Sequence, residues 1–161
     1  MSKILVAFFS ATGRTGDVAE KLLQYLATDL FEILPQEPYI REDLNWRDAN
    51  SRSSREMRDK SFRPAIKETV ADLKKYHVIF LGFPVWWYVA PTVINTFLES
   101  FDTSEKKIVL FATSGGNGFG NTRELLKSSV SISAQIQEGK VFTAPGNLQD
   151  LKARAESFLK Q

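Results

Sequence analysis

The sequence predicts an α/β protein: a parallel sheet with helices on both faces. Three observations carry this. Short, β-rich apolar runs alternate with segments of helical period along the chain. The runs are followed by turns rich in Gly, Ser and Pro. The length of 161 residues, 43% hydrophobic and 25% charged, suits one domain over 1–161 with a core of ordinary size.

The elements follow in order. Ile4 to Phe9 is the first apolar run and reads as a buried strand. Val18, Ala19, Leu22, Leu23 and Leu26 recur at helical spacing, so Thr15 to Ala27 has one apolar face. Leu30 to Leu34 is a second strand candidate, stopped by Pro35 and Pro38. From about 36 to 63 the rhythm breaks. This polar stretch carries Tyr39, Leu44, Trp46, Met57 and Phe62 as scattered apolar points and reads as an insertion, with a short helix expected after Asp43. Pro64 is placed to open a helix whose face is Ile66, Val70 and Leu73. Val78 to Phe83 is a third strand, and Pro91 opens a helix with Ile94, Phe97, Leu98 and Phe101 inward. Ile108 to Thr113 is a fourth strand, followed by a glycine-rich loop and a helix around Thr122 to Val130. Lys140 to Phe142 is a weak fifth strand, and Leu148, Leu151, Ala155, Phe158 and Leu159 mark a last helix. Right-handed crossovers place the turns after the strands along one edge, where such sheets bind ligands.

Composition excludes several chemistries. A net charge of +2 argues against nucleic acid or a membrane surface as an obligatory partner. Without cysteine there is no disulfide, thiolate nucleophile or cysteine-ligated metal, and one histidine excludes a multi-histidine site within one chain. The run Ile4 to Phe9 is shorter than the ~7–15 apolar residues of a signal peptide. The tract Val78 to Ala90 contains Pro84 and falls short of the ~20 residues that span a bilayer. The expectation is a soluble, cytoplasmic protein.

Three turns draw attention. Ser10-Ala11-Thr12-Gly13-Arg14-Thr15 lies between the first strand and the first helix. Its hydroxyls, its backbone N–H groups and the helix N-terminus converge on a point that suits a phosphate. The plainer reading is that Ser10 or Thr12 only caps the helix. A Walker loop would need a terminal Gly-Lys-Ser/Thr, and the Gly-x-Gly-x-x-Gly fingerprint is also missing. Arg14 is expected to contribute its backbone N–H rather than its guanidinium. Pro84-Val85-Trp86-Trp87-Tyr88 follows the third strand. Three adjacent aromatics cannot all enter one core, so at least one is expected to offer a stacking face beside the ligand crevice, although a single tryptophan could simply plug the sheet end. Thr113-Ser114-Gly115-Gly116-Asn117-Gly118 follows the fourth strand; its glycines allow close backbone approach to a ligand, or form a surface turn. Together the turns call for a ligand with one phosphate and one flat ring bearing carbonyls.

On these residues the chain resembles the flavodoxin family. Phe8 to Thr15, with Ala19 in the following helix, is similar to that family's strand and phosphate loop; Leu81 to Trp87 and Phe111 to Gly116 are similar to the ring-binding loops of a flavodoxin-like subgroup with a Pro-Val-Trp-Trp loop. The resemblance implies a three-layer α/β/α sandwich with a five-stranded parallel sheet of order 2-1-3-4-5, and bound FMN. It implies that Ser10, Thr12 and Thr15, with the amides of Ala11 to Thr15 (Gly13 and Arg14 among them), hold the phosphate. Pro84, Val85, Trp86, Trp87 and Tyr88, with Thr113, Ser114, Gly115 and Gly116, would embrace the isoalloxazine. The flavin would perform the chemistry, so no catalytic acid or base is nominated. The expected function is electron transfer with a redox partner protein. The alternatives are an FMN-dependent NAD(P)H:quinone reductase using a small-molecule acceptor, and a flavin-free interaction module.

Two features depart from the simple carriers of that family. The chain is near neutral where those carriers are strongly acidic. The 36–63 insertion is longer than a short carrier needs, and is expected to pack near the flavin with Tyr39 or Trp46 as candidate contacts. Other readings are set aside: His77 is expected at a helix C-terminus, Ser114 lacks the glycine of a hydrolase elbow, and a receiver domain would need aspartates where Phe9 and Phe83 stand.

Overall fold

A computed structural model describes residues 3–11, 13–26, 29–69, 75–114 and 118–142. In chain order the elements are β1 (Lys3–Phe8), α1 (Arg14–Leu26), β2 (Asp29–Glu32), a 3-10 turn (Arg41–Leu44), α2 (Arg52–Arg58), β3 (Tyr76–Pro84), α3 (Thr92–Glu99), β4 (Lys107–Thr113), α4 (Thr122–Lys127) and β5 (Gln135–Phe142). The strands form one parallel sheet in the order β2-β1-β3-β4-β5. This is the α/β architecture expected from the sequence.

Strand alternation sorts the core into two layers. Ile4, Val6 and Phe8 of β1, with Val78, Phe80, Val109 and Phe111, face Ala19 and Leu22 of α1. Leu5, Ala7, Leu81, Phe83, Leu110 and Ala112 face the other side, against Ile94, Phe97 and Leu98 of α3 and Leu126 of α4. Gly82 sits mid-sheet because the Phe111 ring crosses it: a Cβ there would lie 2.2 Å from the ring. Register aligns the strand ends that matter. Phe8 pairs with Gly82, and Pro84 pairs with Thr113.

Several boundaries differ from the sequence expectation. Pro64 opens no helix. Instead Gln36 N–H donates to the Ala65 carbonyl (2.9 Å), Lys67 N–H donates to the Leu34 carbonyl (2.7 Å), and Ile66 bridges Pro35 in antiparallel fashion. The returning chain satisfies the backbone that β2 leaves unpaired, so β2 ends at Glu32 rather than Leu34. Val70 and Leu73 lie outside the described residues, as does the last helix expected from Leu148 to Leu159. β5 begins at Gln135, five residues before the expected Lys140; it is an edge strand with Gln135, Gln137 and Glu138 exposed, so its sequence lacks an apolar run. α4 stops at Lys127 instead of Val130. His77 lies inside β3, exposed, and not at a helix end.

Candidate functional site

The first loop is organised around one hydroxyl. Ser10 Oγ accepts from Gly13 N–H at 3.0 Å and from Gly16 N–H at 3.1 Å. Its own O–H remains a donor. Gly13 adopts φ +94°, a conformation that favours glycine, and its carbonyl accepts from Asp17 N–H at 3.0 Å to start α1. Gly16 is a site residue that the sequence reading missed. A Cβ there would stand 3.3 Å from the Phe8 ring and 3.6 Å from Ser10 Oγ, so the glycine lets the helix start close on the loop. A glycine inside a helical pattern was the available signal. Thr15 is 1% exposed, and its hydroxyl pairs with that of Thr113 at 2.8 Å. It braces α1 against the end of β4 from beneath the loop. Ala11 is half-buried, and Gly13 and Arg14 are exposed; Thr12 lies outside the described residues.

The second loop leaves β3 at Pro84. Val85 N–H donates to the Thr113 carbonyl (2.9 Å), keeping the chain in register for one more residue. Trp86 and Val89 then exchange both backbone hydrogen bonds, at 2.8 and 3.1 Å. The two residues between them, Trp87 (φ 47°) and Tyr88 (φ 70°), are left-handed. This reverse turn normally takes Asn-Gly. Two aromatics held there cost on the order of 1–3 kcal/mol each, strain that persists only where the surroundings fix it. The fixing contacts come from far along the chain. The Tyr88 carbonyl lies where a Cβ on Gly120 would sit, 2.2 Å away. Ala90 N–H donates to Thr122 Oγ1 (3.1 Å), which itself donates to the Phe119 carbonyl (2.6 Å). Trp87 is 39% exposed and Tyr88 64%, while Pro84, Val85 and Trp86 are half-buried. The expectation that at least one aromatic reaches the surface therefore holds for two.

The third loop begins at Thr113 and Ser114, both buried, with Ser114 N–H donating to the Phe142 carbonyl (3.1 Å). Gly115, Gly116 and Asn117 lie outside the described residues. The three loops thus leave adjacent parallel strands along one edge of the sheet.

A fourth segment joins them. Tyr39 packs its ring on Phe9 (centroids 5.5 Å) and on Trp86 (5.4 Å), and Phe9 meets Trp86 at 5.7 Å. The Arg52 guanidinium lies 3.8 Å over the Tyr39 ring, and the phenol donates to Glu56. Burial, then the Glu56 carboxylate, push the Tyr39 hydroxyl far above its ordinary range, so it stays a neutral donor. Trp46, the other candidate contact, is 66% exposed, with Arg47 5.1 Å from its ring. A cleft of about 460 Å³ near Lys107, Arg123 and Gln135 lies toward the opposite ends of β4 and β5. Among the described residues no group of three or more His, Cys, Asp or Glu side chains could hold a metal ion, and no helix is long and apolar enough to cross a membrane.

Comparison with known proteins extends this geometry. The flavodoxin family model matches residues 3–158. A candidate flavoprotein of Bacteroides eggerthii is 41% identical, covering 99% of this chain and 97% of its own, with a TM-score of 0.86. Another, from Bacteroides uniformis, is 35% identical over 99% of each chain, with a TM-score of 0.84. A flavoprotein of Lactobacillus acidophilus, solved in complex with FMN, is 20% identical over 88% of this chain and 93% of its own, with a TM-score of 0.67. No curated protein matches the chain.

Proposed function

The chain belongs to the flavodoxin family, and from that premise we propose that it binds FMN between its three loops and transfers electrons through the isoalloxazine. The observation that carries this reading is the pairing of a carboxylate-free anion cradle with a strained aromatic turn on one sheet edge. The donor set fits the group. Residues 10–16 contain no carboxylate, and they combine hydroxyls with a glycine turn at the start of a 13-residue helix. Such a turn favours a phosphate through its N–H groups and the helix dipole. At the other end, Trp86, Trp87 and Tyr88 offer flat apolar surface, and the backbone of 84–88 and 113–116 would donate to and accept from the ring edges. FMN, when bound, supplies the redox chemistry. The protein's part is to hold the phosphate at Ser10, Thr12 and the loop amides, to fix the ring beside Trp86, and to keep Thr15 and Thr113 locked beneath both.

A reductase that takes hydride from NAD(P)H and passes electrons to a quinone or similar acceptor is the second reading. It is favoured by the near-neutral charge and by the insertion packed on Trp86, since both set the chain apart from an acidic carrier. The test is an absorption spectrum with FMN titration, followed by anaerobic NAD(P)H addition. Quenching of FMN fluorescence is expected, and untouched fluorescence overturns the proposal. Rapid bleaching by NAD(P)H, with turnover on added quinone, favours the reductase; no bleaching favours the carrier.

A further inference from the structure

We infer that the 36–63 insertion is a brace for Trp86, with Tyr39 as a positioning residue that acts on the flavin ring site through the indole; the inference rests on the FMN reading above. The geometry points there from three sides. Phe9, Tyr39 and Trp86 close a triangle of rings, with interplanar angles of 60°, 73° and 87°. Its corners come from the residue before the phosphate loop, the insertion, and the first residue of the strained turn. Tilted and edge-on contacts of this kind fix ring orientation as well as burying area.

The insertion in turn is built around Tyr39. Arg52 covers the outer face of the ring and donates from Nη1 to the Glu37 carbonyl (2.8 Å) and the Pro38 carbonyl (3.3 Å), the two residues that lead into Tyr39. Its Nε donates to Glu56 at 2.9 Å, and Glu56 also accepts the Tyr39 phenol. Arg52 and Glu56 are one turn apart on α2, a helix capped by Ser51 and seated by the buried Met57. A solvated loop needs none of this. The guanidinium lies in a cation–π contact, and each partner of the ion pair has a second, defined role.

The consequence is that flavin affinity and potential depend on a side chain that need not touch the flavin. Tyr39→Leu removes two ring contacts and is expected to weaken FMN binding roughly tenfold. It should also shift the midpoint potential and alter the visible circular dichroism of bound flavin. Tyr39→Phe keeps the ring and should restore most of the affinity. In a Trp86→Leu background, Tyr39→Leu should add little, because its path is already cut. Arg52→Met leaves all three rings in place and is expected to cost about two- to threefold; it decides the question should Tyr39→Leu not fold. Wild-type affinity, potential and flavin dichroism in these variants, or fully additive losses in the double variant, overturn the inference while the FMN reading stands. A wild-type protein that leaves FMN fluorescence untouched overturns the FMN reading itself.

Discussion

The hydroxyl–glycine loop at 10–16 and the aromatic turn at 84–90 lie on the same sheet edge, yet they are held by opposite means. Apart from the Thr15–Thr113 hydroxyl pair beneath it, the first is closed by its own residues. Ser10 satisfies Gly13 and Gly16, and Gly13 starts the helix by accepting from Asp17, all within eight positions. The second places Trp and Tyr in left-handed backbone and is locked by Gly120, Thr122 and Tyr39, which are 32 to 47 positions distant from their partners in the chain. A local loop tolerates changes elsewhere in the protein. A turn clamped from outside responds to every partner.

The same substitution made in both regions should separate them. Gly120→Ala meets the Tyr88 carbonyl at 2.2 Å and a φ of +55°; it should cost about 3 kcal/mol in urea unfolding and loosen the turn. Gly13→Ala has φ +94° but open space around the new Cβ, so about 1–2 kcal/mol is expected. Equal losses would erase the contrast. Ser10→Ala leaves two loop N–H groups without their acceptor, at about 1–2 kcal/mol, and should reduce the preference for FMN over riboflavin in paired titrations. Beneath the two loops, Thr15→Val or Thr113→Val alone should cost about 1–2 kcal/mol, because each strands the other's buried hydroxyl; the double variant should recover part of that loss.

The smallest effect is expected away from both rims. Burial disfavours the Glu99 carboxylate, but the hydrogen bonds from Arg63 and Ser129 win and hold its pKa below the ordinary 4.5. A depressed folded pKa adds stability above the unfolded value, and that stability is lost as pH falls through the folded one. Glu99 is 40% exposed on its side chain, so the loss should stay under about 1 kcal/mol. Glu99→Gln should flatten the urea-midpoint profile below about pH 4.5 and leave FMN binding unchanged.

The legibility of each element followed the range of its contacts. β1, β3 and β4 were readable because strands buried on both faces must be apolar throughout. β5 was half-hidden because an open edge accepts polar residues, and the helix start expected at Pro64 gave way to a bridge whose partner, Pro35, is 31 positions distant from Ile66. At the site, the hydroxyl–glycine loop was legible as a string of letters. The roles of Gly16, Gly120 and Thr122 were not, since each depends on what packs against it. Tyr39 could be nominated only as one of two aromatics; the structure packs it on Trp86 and leaves Trp46 66% exposed.

By itself, then, the sequence determined the alternation of strand and helix, the sheet edge on which the loops gather and the hydroxyl–glycine loop, because hydrophobic periodicity and glycine–hydroxyl chemistry act over a few residues. Only the tertiary structure decided that Thr15 braces rather than faces outward, that Trp87 and Tyr88 are bent into a turn they would not adopt alone, and that the polar 36–63 segment seats one tyrosine against Trp86. Those outcomes depend on contacts between distant segments, whose energies exist only once the chain has closed around them.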